Sequence, residues 1–413
     1  MIPPETSRLD DAFPLVQTGL ECCLKEPPEV LRGARLGLLF HQASVDAQLR
    51  DASELFATSF PHAPLSCLFS PQHGVWGEEQ ANMIETSHGN DARWGIPRYS
   101  LYSETRRPTP EMLRQIDCLV IDLQDVGTRV YTYAWTVVHC LQACAESRIP
   151  MVILDRPNPL GGTVAEGPRL HPDYASFVGM APIPMRHGLT IAELARLCNE
   201  LLGINCELHV VRMKGWQREM MFPETGLPWI PPSPNMPRFD TAVVYPGQVL
   251  LEGTNISEGR GTTLPFECLG APFIDPYDLL NELDDPESHG VKLRPIYFRP
   301  TFDKWKGVRC GGLAWHWNRA SLVRSYEMTI RILVGIWRRW PNEFAWLDPP
   351  YEYEYEKPPI DILSGSPTLR AIYSRHCGPP ETEPAGTEAI DLSPVVSLDQ
   401  RAWFEFAKPF LLY

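Results

Sequence analysis

Short apolar runs of strand length recur along the chain with helical periodicity between them, at Arg35 to Leu39, Leu65 to Phe69, Cys118 to Leu123, Met151 to Leu154, Leu208 to Val211 and Ala242 to Val244. Strands buried on both faces read as continuous rather than alternating hydrophobic runs, and helical crossovers between them demand a parallel sheet. Two of the intervening segments carry strong helix patterns, Tyr131 to Ser147 and Thr190 to Leu202. The second opens on Thr190 with Glu193 three residues on, the pattern of a capping box. The expected fold is therefore α/β, a Rossmann-like, mostly parallel sheet with helices on both faces.

At 413 residues the chain exceeds one usual hydrophobic core. Beyond about Phe266 the texture changes to aromatic and arginine-rich strands, RPIYFRPTF and GGLAWHW, followed by the amphipathic stretch Ser325 to Trp340. We expect a first domain over 1–266 built on this sheet and a smaller α+β domain over 267–413. The 42 prolines gather in connections such as PWIPPSPNMP and DPPYEYEYEKPP, which set stiff extended paths.

The formal charge of -14 argues against a nucleic-acid or anionic-membrane partner, because phosphate binding needs a basic face. No segment approaches the roughly 20 uninterrupted apolar residues of a membrane-spanning helix, and the first residues lack the order of an export signal, so a cytoplasmic location is expected. The eleven cysteines are scattered without metal-ligand spacing and read as small buried hydrophobes in a reducing compartment. No GxGxxG follows the first strand, no GxSxG elbow occurs and no HExxH is present, so neither cofactor nor metal is expected.

In open α/β sheets ligands bind beyond the carboxyl ends of the strands. Polar clusters stand there: Gln72 and His73 after the second run, Gln124, Asp125 and Arg129 after the third, Asp155, Arg156 and Asn158 after the fourth. Tyr131, Tyr133 and Trp135 are candidate aromatic platforms for a ligand. Asp125 and Arg129, four residues apart, have the spacing of a local ion pair. The apolar run Thr241 to Leu250 then leads, read as a buried strand, into LEGTNISEGRGTTLPFE, Leu251 to Glu267, where Glu252, Asn255, Glu258 and Arg260 alternate with glycines that let backbone approach a ligand.

Six motifs, SPQHGVWG, DLQDVGTRVYTY, DRPNPLGG with VAEGP, RHGLTIAELA, PPSPNMP and LEGTNISEGRGTTLPFE, occur in the order found in the DUF1343 family, which includes exo-β-N-acetylmuramidases of the NamZ type. The chain resembles that family over nearly its whole length. The resemblance implies a Rossmann-like domain, a smaller C-terminal domain, a cleft at their junction, and release of N-acetylmuramic acid from non-reducing ends of peptidoglycan fragments. Many members carry Pro-Glu-His-Gly, with that Glu proposed as the catalytic acid, where this chain has Pro71-Gln72-His73-Gly74. An amide cannot donate a proton as a carboxylic acid does.

Glycoside cleavage needs two carboxyl groups. The pair expected to act is Glu258, kept ionised by the neighbouring Arg260, with Glu85, whose flanking Met83-Ile84 could raise its pKa. Glu252 and Glu166 stand in reserve. Gln72, His73, Gln124, Asp125, Arg129, Asp155, Arg156, Asn158, Glu166, Asn235, Glu252, Asn255 and Arg260 are the expected contacts for a small carbohydrate, with Arg156 or Arg260 facing a lactyl carboxylate. The alternative is a non-catalytic carbohydrate-binding protein that lost its acid at Gln72.

Overall fold

A computed structural model describes residues 16–60, 62–80, 83–377 and 390–413. Seven strands form the main sheet: β1 Leu36–Phe40, β2 Leu65–Ser70, β3 Gly89–Asn90, β4 Pro97–Ser100, β5 Cys118–Asp122, β6 Met151–Leu154 and β7 Leu208–Val211. Their order is β3-β4-β2-β1-β5-β6-β7, and every pairing is parallel except β3 with β4. The expected Rossmann-like organisation is present, with the reversal of strand order between β1 and β5.

Period-two alternation sends the side chains of each strand to two separate cores. Leu36, Leu38 and Phe40 join Val120 and Val152 in one, with Leu20, Cys23, Leu55 and Phe56 from the helices Gly19–Lys25 and Ala52–Ser59. Leu39, Leu119, Ile121 and Ile153 face the other, against Val137, Cys140 and Leu141 of the helix Tyr133–Ser147. Each fully buried aliphatic side chain contributes about 1.5–3 kcal/mol, so the sheet is held from both sides. The helix Ile191–Leu201 begins at the expected Thr190 cap: Glu193 N–H donates to Thr190 Oγ1 and Thr190 N–H to Glu193 Oε2. All ten cysteines whose side chains are described are buried and free.

One expected strand is a helix. Ala242 to Val244 lies inside Phe239–Gln248, a helix buried almost all round, and an apolar run with no polar face cannot be told from a strand by periodicity. This helix packs on Ser325–Arg339, and Gly247 makes the approach possible: a Cβ there would stand 2.0 Å from Ser325 O. The chain thus enters its second layer of structure before residue 266. A smaller antiparallel sheet follows, β8 Cys268–Ala271, β9 Lys292–Phe298 and β10 Cys310–His316, in the order β8-β10-β9. Among the described residues no helix is long and apolar enough to cross a membrane.

Replacing Gly247 by Ala forces the two helices apart. The variant is expected to lose about 1–3 kcal/mol of stability, the usual cost of overpacking, measured as a lower urea midpoint at unchanged slope.

Candidate active site

Beyond the carboxyl ends of β1 and β5, the Pro-rich segment 231–237 lies across the sheet. Gln42 Nε2–H donates to Pro231 O at 2.6 Å, and Tyr133 Oη–H to Pro232 O at 2.7 Å. His41 Nε2 accepts the Gln124 amide at 2.9 Å, which leaves Nδ1–H to donate to Pro232 O. The site opens beside this segment, as a narrow cleft between the main sheet and the second layer. Gln72, His73, Tyr131, Thr132, Ser233 and Asn235 supply the first wall, and Tyr245, Glu252, Arg260, Phe266, Tyr351 and Glu352 the second. Tyr131, Tyr245 and Phe266 stand edge to face, with ring centroids 6.0 Å and 4.8 Å apart, and give the cleft an aromatic lining.

On the second wall the glycine-rich loop is fixed by charge. Arg260 Nη2 binds Glu252 Oε1 at 2.6 Å, Arg260 Nε lies 3.2 Å from Glu258 Oε1, and Lys304 Nζ binds Glu258 Oε2 at 2.8 Å. Tyr351 Oη–H donates to Glu252 Oε2 at 2.6 Å. Burial opposes ionisation of Glu258, but Lys304 and Arg260 outweigh it and hold its pKa below the usual carboxylate value. Burial likewise opposes the charge on Arg260, and Glu252 and Glu258 overcome it.

The first wall begins where β2 ends. His73 sits at φ 73° and Gly74 at φ 81°, turning the chain back so that His73 Nδ1–H donates to Glu79 O at 2.6 Å. Burial, together with the charge of Arg260, lowers the His73 pKa to about 4, so the ring is neutral at pH 7. Gln72 Oε1 accepts Thr132 Oγ1–H at 2.6 Å, and its Nε2–H donates to Glu352 Oε1 at 3.2 Å. Tyr102 Oη–H donates to the other oxygen of Glu352 at 2.6 Å. Burial raises the Glu352 pKa above the ordinary glutamate value, and neither donor cancels that effect.

Of the residues expected at the site, Gln72, His73, Asn235, Glu252 and Arg260 line the cleft. Glu258 does not: it is 1 % exposed and stands behind Arg260. Glu85 is exposed outside the cleft, 3.5 Å from Arg106, so the solvent-free surroundings expected from Met83-Ile84 are absent. Arg156 forms a buried ion pair with Asp122, at 2.5 and 2.8 Å. With Gln124, it lines a separate hollow. Gln124 Nε2–H bonds Asp125 O and Pro157 O.

Asp155 accepts Thr190 Oγ1–H, Ala192 N–H and Tyr413 Oη–H, which ties the helix Ile191–Leu201 and the C-terminal tyrosine to β6. Asn158 bridges Leu160 N–H and Leu189 O, Glu166 pairs with Arg186, and Asn255 clamps Glu343 O and Ala345 N–H. The ion pair expected between Asp125 and Arg129 is not formed. Arg129 donates to the carbonyls of Pro168, Ile183 and Leu363, while Asp125 accepts Gly127 N–H. Tyr131 reaches the cleft, but Tyr133 and Trp135 belong to the cores.

Glu352 was not singled out from sequence. Its one signal was an acidic and aromatic alternation, YEYEYE, inside a segment read as a proline-bounded connection. Among the described residues no group of three or more His, Cys, Asp or Glu could hold a metal ion.

The fold sets a carboxylate-lined cleft between its two layers, an arrangement that glycoside cleavage needs, and the family to which the chain belongs is one of glycosidases. The chain belongs to the exo-β-N-acetylmuramidase NamZ family: the family's N-terminal model matches residues 36–240 and its C-terminal model 243–413. It is 43% identical over 344 residues to the peptidoglycan β-N-acetylmuramidase NamZ of Bacillus subtilis, covering 83% of each chain. Two crystal structures of DUF1343 family proteins from Bacteroides fragilis are similar to it, with TM-scores of 0.83 and 0.71 at 32% and 26% identity, each covering 96% of this chain and 99% of the other.

Two variants probe the buried charges. Glu258→Gln leaves Lys304 without its carboxylate, and we expect a stability loss of roughly 3 kcal/mol, at the low end for breaking a buried pair, seen in urea unfolding. Asp125, whose Oδ1 has no partner, has its pKa pushed up to about 7 by burial. A raised carboxyl pKa contributes stability that is present below the unfolded value of about 3.9 and lost as pH climbs to the folded value. The melting temperature of Asp125→Asn relative to the parent is therefore expected to increase between about pH 4 and pH 7 and then level off.

Proposed function

We propose that this chain releases terminal N-acetylmuramic acid, or a related amino sugar, from peptidoglycan fragments by carboxylate acid/base catalysis. The observation that carries the reading is the pairing of two differently treated carboxyl groups in one cleft. Glu252 is held in an ion pair with Arg260 and a hydrogen bond from Tyr351, whereas Glu352 is buried among neutral donors. Hydrolysis of a glycoside needs such a division, one group to stabilise positive charge or activate water and one to assist the leaving oxygen. The name of the Bacillus relative supplies the sugar. Of the two arginines expected to meet a lactyl carboxylate, Arg260 is the one on the cleft wall, whereas Arg156 lines a separate hollow.

Tyr131 and Tyr245 offer apolar surface to a pyranose ring, and Gln72 and Asn235 offer amides to its hydroxyl or acetamido groups. Glu258 serves in this reading as the anchor that aims Arg260, and Glu85 has no part in the chemistry.

Incubation with a chromogenic β-N-acetylmuramide is the direct test, run beside aryl glycosides of other 2-acetamido sugars. Release of the muramide in preference to the others is expected, and Glu252→Gln is expected to lower kcat by ~10²–10⁴. Gln72 favours one rival, a carbohydrate-binding protein without turnover. Saturable binding of muramyl disaccharide with no release from any substrate would establish that rival instead.

A further inference from the structure

The segment that presents Glu352 is built in an unusual way. Tyr351 and Glu354 exchange backbone hydrogen bonds in both directions at 2.9 Å, closing a two-residue hairpin loop around Glu352 and Tyr353. The two central residues have φ of 44° and 67°. Positive φ at both positions is the geometry of a type I′ turn, which selects Asn-Gly because the Cβ of an L-residue crowds the carbonyl oxygen, a cost that Gly escapes and Asn offsets by local hydrogen bonding. A glutamate and a tyrosine there cost about 1–2 kcal/mol each. Such strain persists where surrounding structure over-determines it, and here the effect is to drive a carboxyl group across the gap between the two walls.

What the turn delivers is a carboxyl with neutral partners. Its oxygens receive Gln72 Nε2–H and Tyr102 Oη–H, and only 4 % of the residue remains exposed. Its neighbour on the same wall differs, since Glu252 is paired with the Arg260 guanidinium. We propose that Glu352 is the proton donor of this cleft. This rests on the glycosidase reading above and names the group that carries its acid step. The proton passes from the Glu352 carboxyl to the glycosidic oxygen as the bond from that oxygen to the anomeric carbon breaks. Water adds to the carbon, and the proton it sheds returns to the carboxylates of the cleft, so one water is consumed and two hydroxyl compounds leave. Gln72 and Tyr102 are positioning residues: Gln72 holds one oxygen of Glu352 while Thr132 fixes the amide the right way round, and Tyr102 holds the other.

The test uses two leaving groups. A dinitrophenolate departs without a proton, and the sugar alcohol of a β-linked N-acetylmuramyl disaccharide does not. In Glu352→Gln, kcat on the disaccharide is expected to fall by ~10²–10⁴ with KM little changed, while release from the dinitrophenyl β-N-acetylmuramide stays close to the parent rate. Equal loss on both substrates, or equal retention, overturns the assignment. A parent enzyme inactive on both substrates counts against the glycosidase reading itself, which keeps the two failures apart.

Tyr102→Phe supplies a second readout that folding cannot mimic. The groups acting on Glu352 are Tyr102, Tyr353, Tyr351 and Tyr245, with Glu252 raising and Arg260 lowering its proton affinity and neutral His73 nearby in the cleft. Loss of the Tyr102 donor favours the protonated carboxyl, so the alkaline limb of kcat/KM is expected to move to higher pH. An unmoved limb, or one moved to lower pH, speaks against Glu352 as the acid.

Discussion

The alternation of charge Glu252, Arg260, Glu258, Lys304 is the interaction on which the cleft depends. Two carboxylates and two cations alternate in space and balance one another, with contacts of 2.6, 3.2 and 2.8 Å, and the two glutamates and Arg260 are nearly without solvent. Taking such charges from water is expensive, and their mutual attraction repays it only where geometry is good and remaining valences are filled. Lys304 meets that condition by donating also to Leu251 O and Ile256 O. A loop with three glycines has no shape of its own. The ion chain gives it one, and ties it to the stretch between β9 and β10 through Lys304 and to the Glu352 turn through Tyr351.

The same logic explains why polar residues at strand ends misdirect a reader of sequence. The cleft does lie beyond the carboxyl ends of the strands, but those ends are also where loops must be anchored without secondary structure to satisfy them. Asp122 with Arg156, Asp155 with Thr190, and Asn158 with Leu189 meet that need and face no ligand space in the cleft. The reversal point between β1 and β5 is itself covered by Pro231 and Pro232, whose carbonyls accept from Gln42, Tyr133 and His41. Proline suits this place because its carbonyl remains an acceptor while its ring holds the chain extended.

Five strands, the helix Tyr133–Ser147 and the capped helix Ile191–Leu201 were legible because burial on both faces and 3.6-residue periodicity are local properties. The helix Phe239–Gln248 was not, since its burial comes from Ser325–Arg339, more than seventy residues away in the chain, and erases the polar face that identifies a helix. The site divides in the same manner. Gln72, His73, Glu252 and Arg260 lie in motifs whose polarity follows apolar runs, and pattern alone brought them forward. Glu352 meets Gln72 across 280 positions, through a turn whose residues are the reverse of what that turn favours. No composition rule finds a residue whose importance consists in violating one.

That violation separates stability from chemistry in this fold. A type I′ turn with Asn-Gly would be relaxed, and would place an amide where a carboxyl now stands. A relaxed carboxyl on the flexible glycine loop would be drawn instead into the Arg260 pair, as Glu252 is. Keeping one acid out of an ion pair with the cation requires carrying it on a different segment and holding it with donors that bear no charge. The strained turn provides that separation. The two carboxyl groups thus differ because of the segments that carry them, one fixed by an ion chain and the other by backbone geometry.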